Sequence, residues 1–202
     1  LAFKFSPVES PATAPWRLSI TTEALPAWVR AEVVSEARLG EATVTGRSVI
    51  RYEIENAPIK ELIIKVPAAW RNVELTGSNI RRRDQTGTQW RVELQNRVRG
   101  QYLLTVLWEQ PAATGTNQLE LAGVETVGVE RESGFVSIVA PSRLQVNPAR
   151  TGEDLMRVDS TELPAWARAR GGLPAGQEAV LNYHYLRPGW KLAVVIQRFV
   201  EA

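Results

Sequence analysis

The chain has 202 residues, of which 44% are hydrophobic and 23% are charged, and its formal net charge is +2. This composition is that of an ordinary globular protein and argues against disorder, and no apolar run approaches the roughly 20 residues that a membrane helix needs. Cysteine is absent, which excludes disulfides and thiolate metal sites. A chain of this length buries enough surface to form one domain without such cross-links. Since it lacks an initiator methionine, we expect residues 1–202 to be a single domain that is a fragment of a longer protein.

Acidic and basic side chains are nearly balanced and are interspersed along the chain. A surface that binds nucleic acid or an anionic membrane needs a concentration of positive charge. We therefore expect no nucleic-acid partner and no direct insertion of this segment into a membrane.

Alternation of apolar and polar residues with a period of two predicts β-strands with one buried face. It is clearest at 50–55, 61–66 and 90–94. Segments 102–108 and 135–140 are apolar on both faces, which predicts central strands. Further strands are predicted at 3–5, 16–21, 29–34, 42–46, 73–76, 118–122, 125–130, 143–147, 180–185 and 191–199.

Residues typical of turns separate these strands, and helical periodicity is scarce. The best helical stretch is 160–170, which has Pro164 in its first turn and glycines at its end. A dozen short strands at regular spacing predict an all-β fold, a large and mostly antiparallel β-sandwich with one or two short helical turns. The predicted turns are 55–58, 85–87, 98–100, 114–117 and 187–189.

One passage occurs twice. Thr-Glu-Ala-Leu-Pro-Ala-Trp-Val-Arg-Ala at 22–31 returns as Thr-Glu-Leu-Pro-Ala-Trp-Ala-Arg-Ala at 161–169. Each copy is followed by a strand-like run, and such repetition indicates architecture rather than chemistry. We expect the two copies to superpose, with Trp28 and Trp166 packing as core anchors under the strands that follow.

Residues for catalysis are sparse. His184 is the single histidine, no Gly-x-Ser-x-Gly motif accompanies it, and it is expected on a strand surface, facing away from Tyr183 and Tyr185. The densest acidic spots, at 130–132 and 153–154, lie at predicted turns and match no calcium-loop spacing. We therefore predict that the chain is not an enzyme and uses no cofactor or metal.

The sharpest charge cluster is Arg81, Arg82 and Arg83, which we place on an exposed hairpin turn. Arginine clusters bind acidic partners through multidentate hydrogen bonds. Among the seven tryptophans, Trp190 lies beside the predicted 187–189 turn and is expected to be exposed, where its ring would suit a sugar. The predicted binding residues are therefore Arg81, Arg82, Arg83 and Trp190, and the predicted partner is a protein or glycan of the cell envelope.

Several stretches resemble β-rich modules in very large, membrane-anchored bacterial envelope proteins. They include Ile-Lys-Val-Pro at 64–67, Asn-Val-Glu-Leu-Thr-Gly-Ser-Asn-Ile at 72–80, Glu-Arg-Glu-Ser-Gly-Phe at 130–135 and Val-Asp-Ser-Thr-Glu-Leu-Pro at 158–164. The resemblance covers most of the chain and implies an extracytoplasmic location, periplasmic or at the cell surface, with a tether outside this chain. We expect a non-catalytic structural or protein-interaction module; the alternative is a carbohydrate-binding β-sandwich module.

Overall fold

A computed structural model describes residues 23, 25–40, 42–112, 117–142, 144–168 and 178–198. The predicted strands at 3–5 and 16–21 and most of the predicted 114–117 turn lie outside these residues. Helical structure in the described part is limited to a 3₁₀ turn at Ser160–Glu162 and a single α-helical turn, α1, at Ala165–Arg168. The strands are β1 Trp28–Leu39, β2 Thr43–Lys65, β3 Arg71–Gly77, β4 Ile80–Thr86, β5 Gln89–Pro111, β6 Gln118–Ala122, β7 Glu125–Val127, β8 Arg131–Ala140, β9 Leu144–Thr151, β10 Leu155–Arg157, β11 Glu178–Tyr185 and β12 Lys191–Arg198.

The strands form two sheets. The large sheet has nine strands in the order β10-β11-β8-β1-β2-β5-β3, with β4 added on β5 and β7 added on β2. The small sheet has the order β6-β12-β9. Strands β1 and β8 pair in parallel, and the other pairs are antiparallel. The predicted all-β, mostly antiparallel sandwich is confirmed.

Two strands are longer than the sequence indicates. The predicted strands at 42–46, 50–55 and 61–66 are one continuous strand, β2, and those at 90–94 and 102–108 are one strand, β5. Where turns were predicted, the two strands form a bulge between the pairs Ile54–Gly100 and Ile59–Val98. Asn56 and Gly100 adopt positive φ angles of 63° and 83° there, a conformation that asparagine and glycine tolerate best.

The core lies between the two sheets. It joins inward-facing residues of the large sheet, such as Ile50 and Leu104, to residues of the small sheet, such as Leu121 and Val194. Trp108 is buried on this face as predicted, and its ring lies against Gly46, where a Cβ would come within 1.9 Å of the indole. Trp70 stacks on Trp108 with ring centroids 4.2 Å apart.

The two copies of the repeated passage do not superpose, so that prediction is wrong. Trp28 opens β1, whereas Trp166 lies in α1, and both rings are half-buried rather than in the core. The alternation of side chains along β1 explains why Trp28 lies outside the core. Val29 faces the core, so Trp28 faces outward together with Arg30. The Arg30 guanidinium lies 4.6 Å from the Trp28 ring centroid.

The second copy instead packs on the outer face of the strand that the first copy begins. Trp166 Nε1 donates a hydrogen bond to Glu32 Oε2 at 3.0 Å, and the Arg51 guanidinium lies 4.9 Å from the Trp166 ring centroid. Each repeated tryptophan is thus covered by an arginine of the β1–β2 ladder.

Candidate binding groove

A groove of about 940 Å³ is lined by residues of both sheets. One wall is the end of β2 and the Pro67–Ala69 turn, and the facing wall is β6 together with the start of β12. Pockets that hold small ligands have volumes of about 300–1,000 Å³. The groove is therefore large enough for several residues of a partner.

The groove is lined by charged side chains of both signs. None of them forms an ion pair with another residue in the described ranges. Elsewhere on the sheets, exposed arginines such as Arg30 and Arg81 do have carboxylate partners. The unpaired groups of the groove are Lys65, Arg150 and Lys191, which are basic, and Glu120, Glu125 and Asp154, which are acidic.

Sheet pairing brings these charges together from distant parts of the chain. Lys65 is the last residue of β2 and lies opposite Glu125 of β7, while Lys191 begins β12 opposite Ala122 of β6. The two sheets are joined beside the groove by Gln110, whose Nε2 donates to the backbone carbonyl of Glu120 at 2.7 Å.

Trp190 belongs to the wall of this groove, but the prediction that it is exposed is wrong. Its side chain is only 5% exposed. Gly123 makes this burial possible, because a Cβ there would come within 2.4 Å of Trp190 Nε1. Trp190 also packs near Tyr185, with ring centroids 6.2 Å apart, and its Nε1 makes no hydrogen bond with a described residue.

The predicted arginine cluster lies on strand β4 rather than on a turn. A shift of register between Ile80 and Arg82 marks a bulge in the pairing of β4 with β5. Arg83 lies opposite the buried Val92. Its side chain therefore leaves the sheet on one face and that of Arg82 on the other. None of the three arginines lines the groove, so the structure does not bring them to Trp190.

All three arginines already have partners. Arg81 and Arg82 are well exposed, at 62% and 68% of their side-chain surface. Ion pairs at such exposed positions contribute at most about 1 kcal/mol, so a partner can displace them. The contacts are Arg81 to Glu93 at 3.3 Å, Arg82 to Asp84 at 2.7 Å and Arg83 to the backbone carbonyl of Leu75 at 2.7 Å.

A buried carboxylate beside the groove escaped the sequence analysis. Glu132, predicted at a turn, is 3% exposed and accepts hydrogen bonds at Oε2 from both the backbone nitrogen and Oγ1 of Thr126, each at 2.6 Å. Tyr185 donates to the other oxygen at 3.2 Å. Burial raises the pKa of Glu132, although these hydrogen bonds act in the opposite direction. The signal that could have found it is alternation, since Glu132 is in phase with the buried Val136 and Ile138.

Two tyrosines complete this cluster. Burial, and next the negative charge of Glu132, raises the pKa of Tyr52 and of Tyr185 well above the ordinary value, so both hydroxyls stay neutral. The Tyr52 hydroxyl makes no hydrogen bond in the described part of the structure. Through Thr126 and Tyr185, the Glu132 carboxylate joins β7 and β11 to β8, which fits a structural role.

His184 lies on the outer face of the large sheet, opposite to the buried Tyr183 and Tyr185, as predicted. Its ring packs against Phe135 with centroids 4.6 Å apart.

Among the described residues, no group of three or more His, Cys, Asp or Glu side chains is arranged to hold a metal ion. No helix in the described ranges is long and apolar enough to cross a membrane.

Comparison with known proteins adds no family. No protein-family model matches the sequence, and no curated protein matches it. The solved structures that are similar to the chain include two of a point mutant of the M1 zinc metallopeptidase from Deinococcus radiodurans, one of them bound to a Tyr-Ser-Ala substrate. In each case the TM-score is 0.43 and the identity 10%, over 84% of this chain and 42% of the metallopeptidase chain. This chain therefore spans less than half of those proteins, and a similarity at this level carries no conclusion about activity.

Proposed function

We propose that this chain is a non-catalytic protein-interaction module of a bacterial envelope protein and that its groove holds a segment of a partner polypeptide. The observation that carries the proposal is the set of unpaired charges in the groove. Lys65 and Glu125 belong to the large sheet and Lys191 and Glu120 to the small sheet, and none of the four forms an ion pair with a described residue.

Charges of both signs favour a polypeptide over a polymer of one charge. A segment that carries both acidic and basic side chains can pair with both sets, whereas a polyanion would meet the carboxylates of Glu120 and Asp154 as like charges. Complementary charge across an interface sets specificity and accelerates encounter. Strand pairing fixes the backbone positions from which these charged side chains extend before the partner arrives, so no backbone ordering has to be added to the entropic cost of binding.

The alternative, a carbohydrate-binding module, needs exposed aromatic rings as platforms for sugars. In the described part of the chain, Trp70, Trp108 and Trp190 are buried, while an arginine covers each of the half-buried Trp28 and Trp166. These observations favour the polypeptide partner. An extracytoplasmic location is part of the proposal and is supported by the resemblance to envelope modules.

The class of partner can be tested by offering both classes to the same purified protein. A display library of random peptides and a glycan array are probed in parallel at low and at physiological salt. We expect peptides with both acidic and basic residues to be enriched. Their binding should weaken as salt is added, because salt screens exposed charges and shortens the Debye length to about 8–10 Å at physiological ionic strength. Glycan binding that is insensitive to salt, without enrichment of peptides, would contradict the proposal.

A further inference from the structure

A second, smaller cleft lies on the outer face of the large sheet, away from the residues that line the groove. Its volume is about 230 Å³. A water molecule occupies about 30 Å³ of liquid volume, so the cleft has room for a small ion and its hydration water. The side chains that line it come from β1, β2 and β8, and are Arg30, Glu32, Arg51, Glu53, Arg131 and Ser133.

Two arginines stand side by side in this cleft. The parallel register of β1 and β8 places Arg30 directly opposite Arg131, and adjacent strands lie only about 4.8 Å apart. Like charges at directly opposite positions destabilise a sheet. The two carboxylates that pair with Arg30 are Glu53 and Glu55, both on β2, on the side of β1 away from Arg131.

Arg131 is the uncompensated member of the pair. It is exposed and forms no ion pair with a described residue. The remaining carboxylate of the cleft, Glu32, is already engaged, since its Oε2 accepts from Arg51 at 2.6 Å and from Trp166 at 3.0 Å. Three arginines and two carboxylates line the cleft, so it carries one positive charge more than negative charges, and the arginine without a carboxylate partner among the described residues is Arg131.

Hydrogen-bond donors in the cleft also lack acceptors. The Nε atoms of Arg30 and Arg51 are shielded from solvent and make no hydrogen bond with the described residues. Because they are shielded, these two nitrogens cannot contact an ion in the cleft, which leaves the exposed guanidinium of Arg131 as the donor that such an ion can reach. Ser133, directly opposite Glu32 across β8 and β1, adds a hydroxyl that can donate or accept.

We propose that this cleft is an oxyanion-binding site in which Arg131 is the principal ligand-binding residue. An oxyanion in the cleft supplies the counter-charge that Arg131 lacks and can accept hydrogen bonds from its exposed guanidinium group and from the hydroxyl of Ser133. Guanidinium groups bind carboxylates, phosphates and sulfates through paired N–H···O bonds, and these charge-assisted bonds are among the stronger ones in proteins. The ligand is therefore an oxyanion, either free in solution or carried as a carboxylate by a partner.

The test titrates inorganic phosphate and, separately, acetate into the ¹⁵N-labelled protein, at about 1–10 mM, where the non-specific stabilising effect of kosmotropic anions is small. Sodium chloride at matched ionic strength is the reference. We expect saturable shifts of the Arg131 Nε–Hε resonance and an increase of the Tm. Saturation with phosphate assigns the site to tetrahedral oxyanions, and saturation with acetate alone assigns it to carboxylates.

Arg131→Gln should weaken binding about tenfold or more, as expected for the loss of a pair of charge-assisted hydrogen bonds. Arg131→Lys keeps the positive charge but lacks the paired N–H donors of the guanidinium group, so this variant should bind the anion with intermediate affinity. Arg157→Gln is the matched control, because Arg157 on β10 is also exposed and unpaired among the described residues but lies outside the cleft.

In the absence of anion, Arg131→Gln should melt at or above the temperature of the parent, because it removes the repulsion with Arg30. The proposal is overturned if neither anion gives saturable shifts, or if Arg131→Gln and Arg157→Gln bind with the same affinity.

Discussion

Trp166 and Glu32 are joined by a hydrogen bond of 3.0 Å although 134 residues separate them in the chain. The same Glu32 oxygen accepts from Arg51, whose guanidinium also lies over the Trp166 ring. The second copy of the repeated passage is therefore anchored to the large sheet by a polar contact and a cation–π contact, and not by burial in the core.

This geometry predicts a moderate cost for altering Trp166. Trp166→Phe keeps a ring but loses the donor to a carboxylate, so the free energy of unfolding should fall by about 1–2 kcal/mol, measured by urea denaturation. Trp108→Ala, a large-to-small change in the core, should cost about 3–5 kcal/mol and serves as the reference. If Trp166→Phe melted like the parent, the contact with Glu32 would contribute nothing to stability.

Glu132 should make stability depend on pH. Its pKa in the folded state is raised above the ordinary value of 4.5. The folded state thus prefers the protonated form of Glu132. The contribution of this group to the free energy of unfolding is fully present below the ordinary pKa and is lost as the pH rises through the pKa of the folded state. The slope is at most about 1.4 kcal/mol for each pH unit.

The measurement compares the parent with Glu132→Gln by urea denaturation at a series of pH values upward from about 4, near the unfolded pKa of glutamate. Relative to the variant, the parent should lose stability with increasing pH over this window. A difference that stays constant, or that grows in favour of the parent, would show that the carboxylate is not disfavoured by burial.

Gly46 is expected to be intolerant of any side chain. A Cβ at this position would lie 1.9 Å from the Trp108 ring, so Gly46→Ala forces the indole to move and should cost about 1–3 kcal/mol. Combined with Trp108→Leu, which removes the clash, the same change should cost less than the sum of the single variants. An additive double-mutant cycle would mean that the two residues do not compete for space.

Alternation made the buried faces of the strands predictable. Ile50, Tyr52 and Ile54 face the core, as do Val92 and Leu94, because each strand has one face on the core and one on the outside. The same rule places Glu132 on the buried face of β8, although charged residues are mostly exposed in folded proteins.

Turn chemistry was less informative. Asn56 and Gly100 are residues that favour positive φ, but such residues occur in bulges within long strands as well as in turns. The sequence predicts a turn where the structure has the polar strand β4, because a segment such as Arg81–Arg83 without alternating apolar residues has no periodic signal.

The groove could not be predicted from the sequence. Its walls come from segments between Lys65 and Ala193, and only the pairing of strands across two sheets shows that they meet. The burial of Trp190 likewise depends on a residue distant in the chain, Gly123, whose missing Cβ leaves room for the ring.

The claim that the groove is the binding site is tested most directly by the affinity of one enriched peptide for two charge-reversed variants. Lys65→Glu with Lys191→Glu alters the groove, and Arg81→Glu with Arg83→Glu alters the arginine cluster that the sequence analysis singled out. Both pairs reverse two positive charges, so their effects on net charge are equal. We predict that the groove variant weakens binding by about tenfold or more, whereas the arginine variant changes it by less than about threefold. Undiminished affinity in the groove variant, with loss of binding in the arginine variant, would contradict the proposed site.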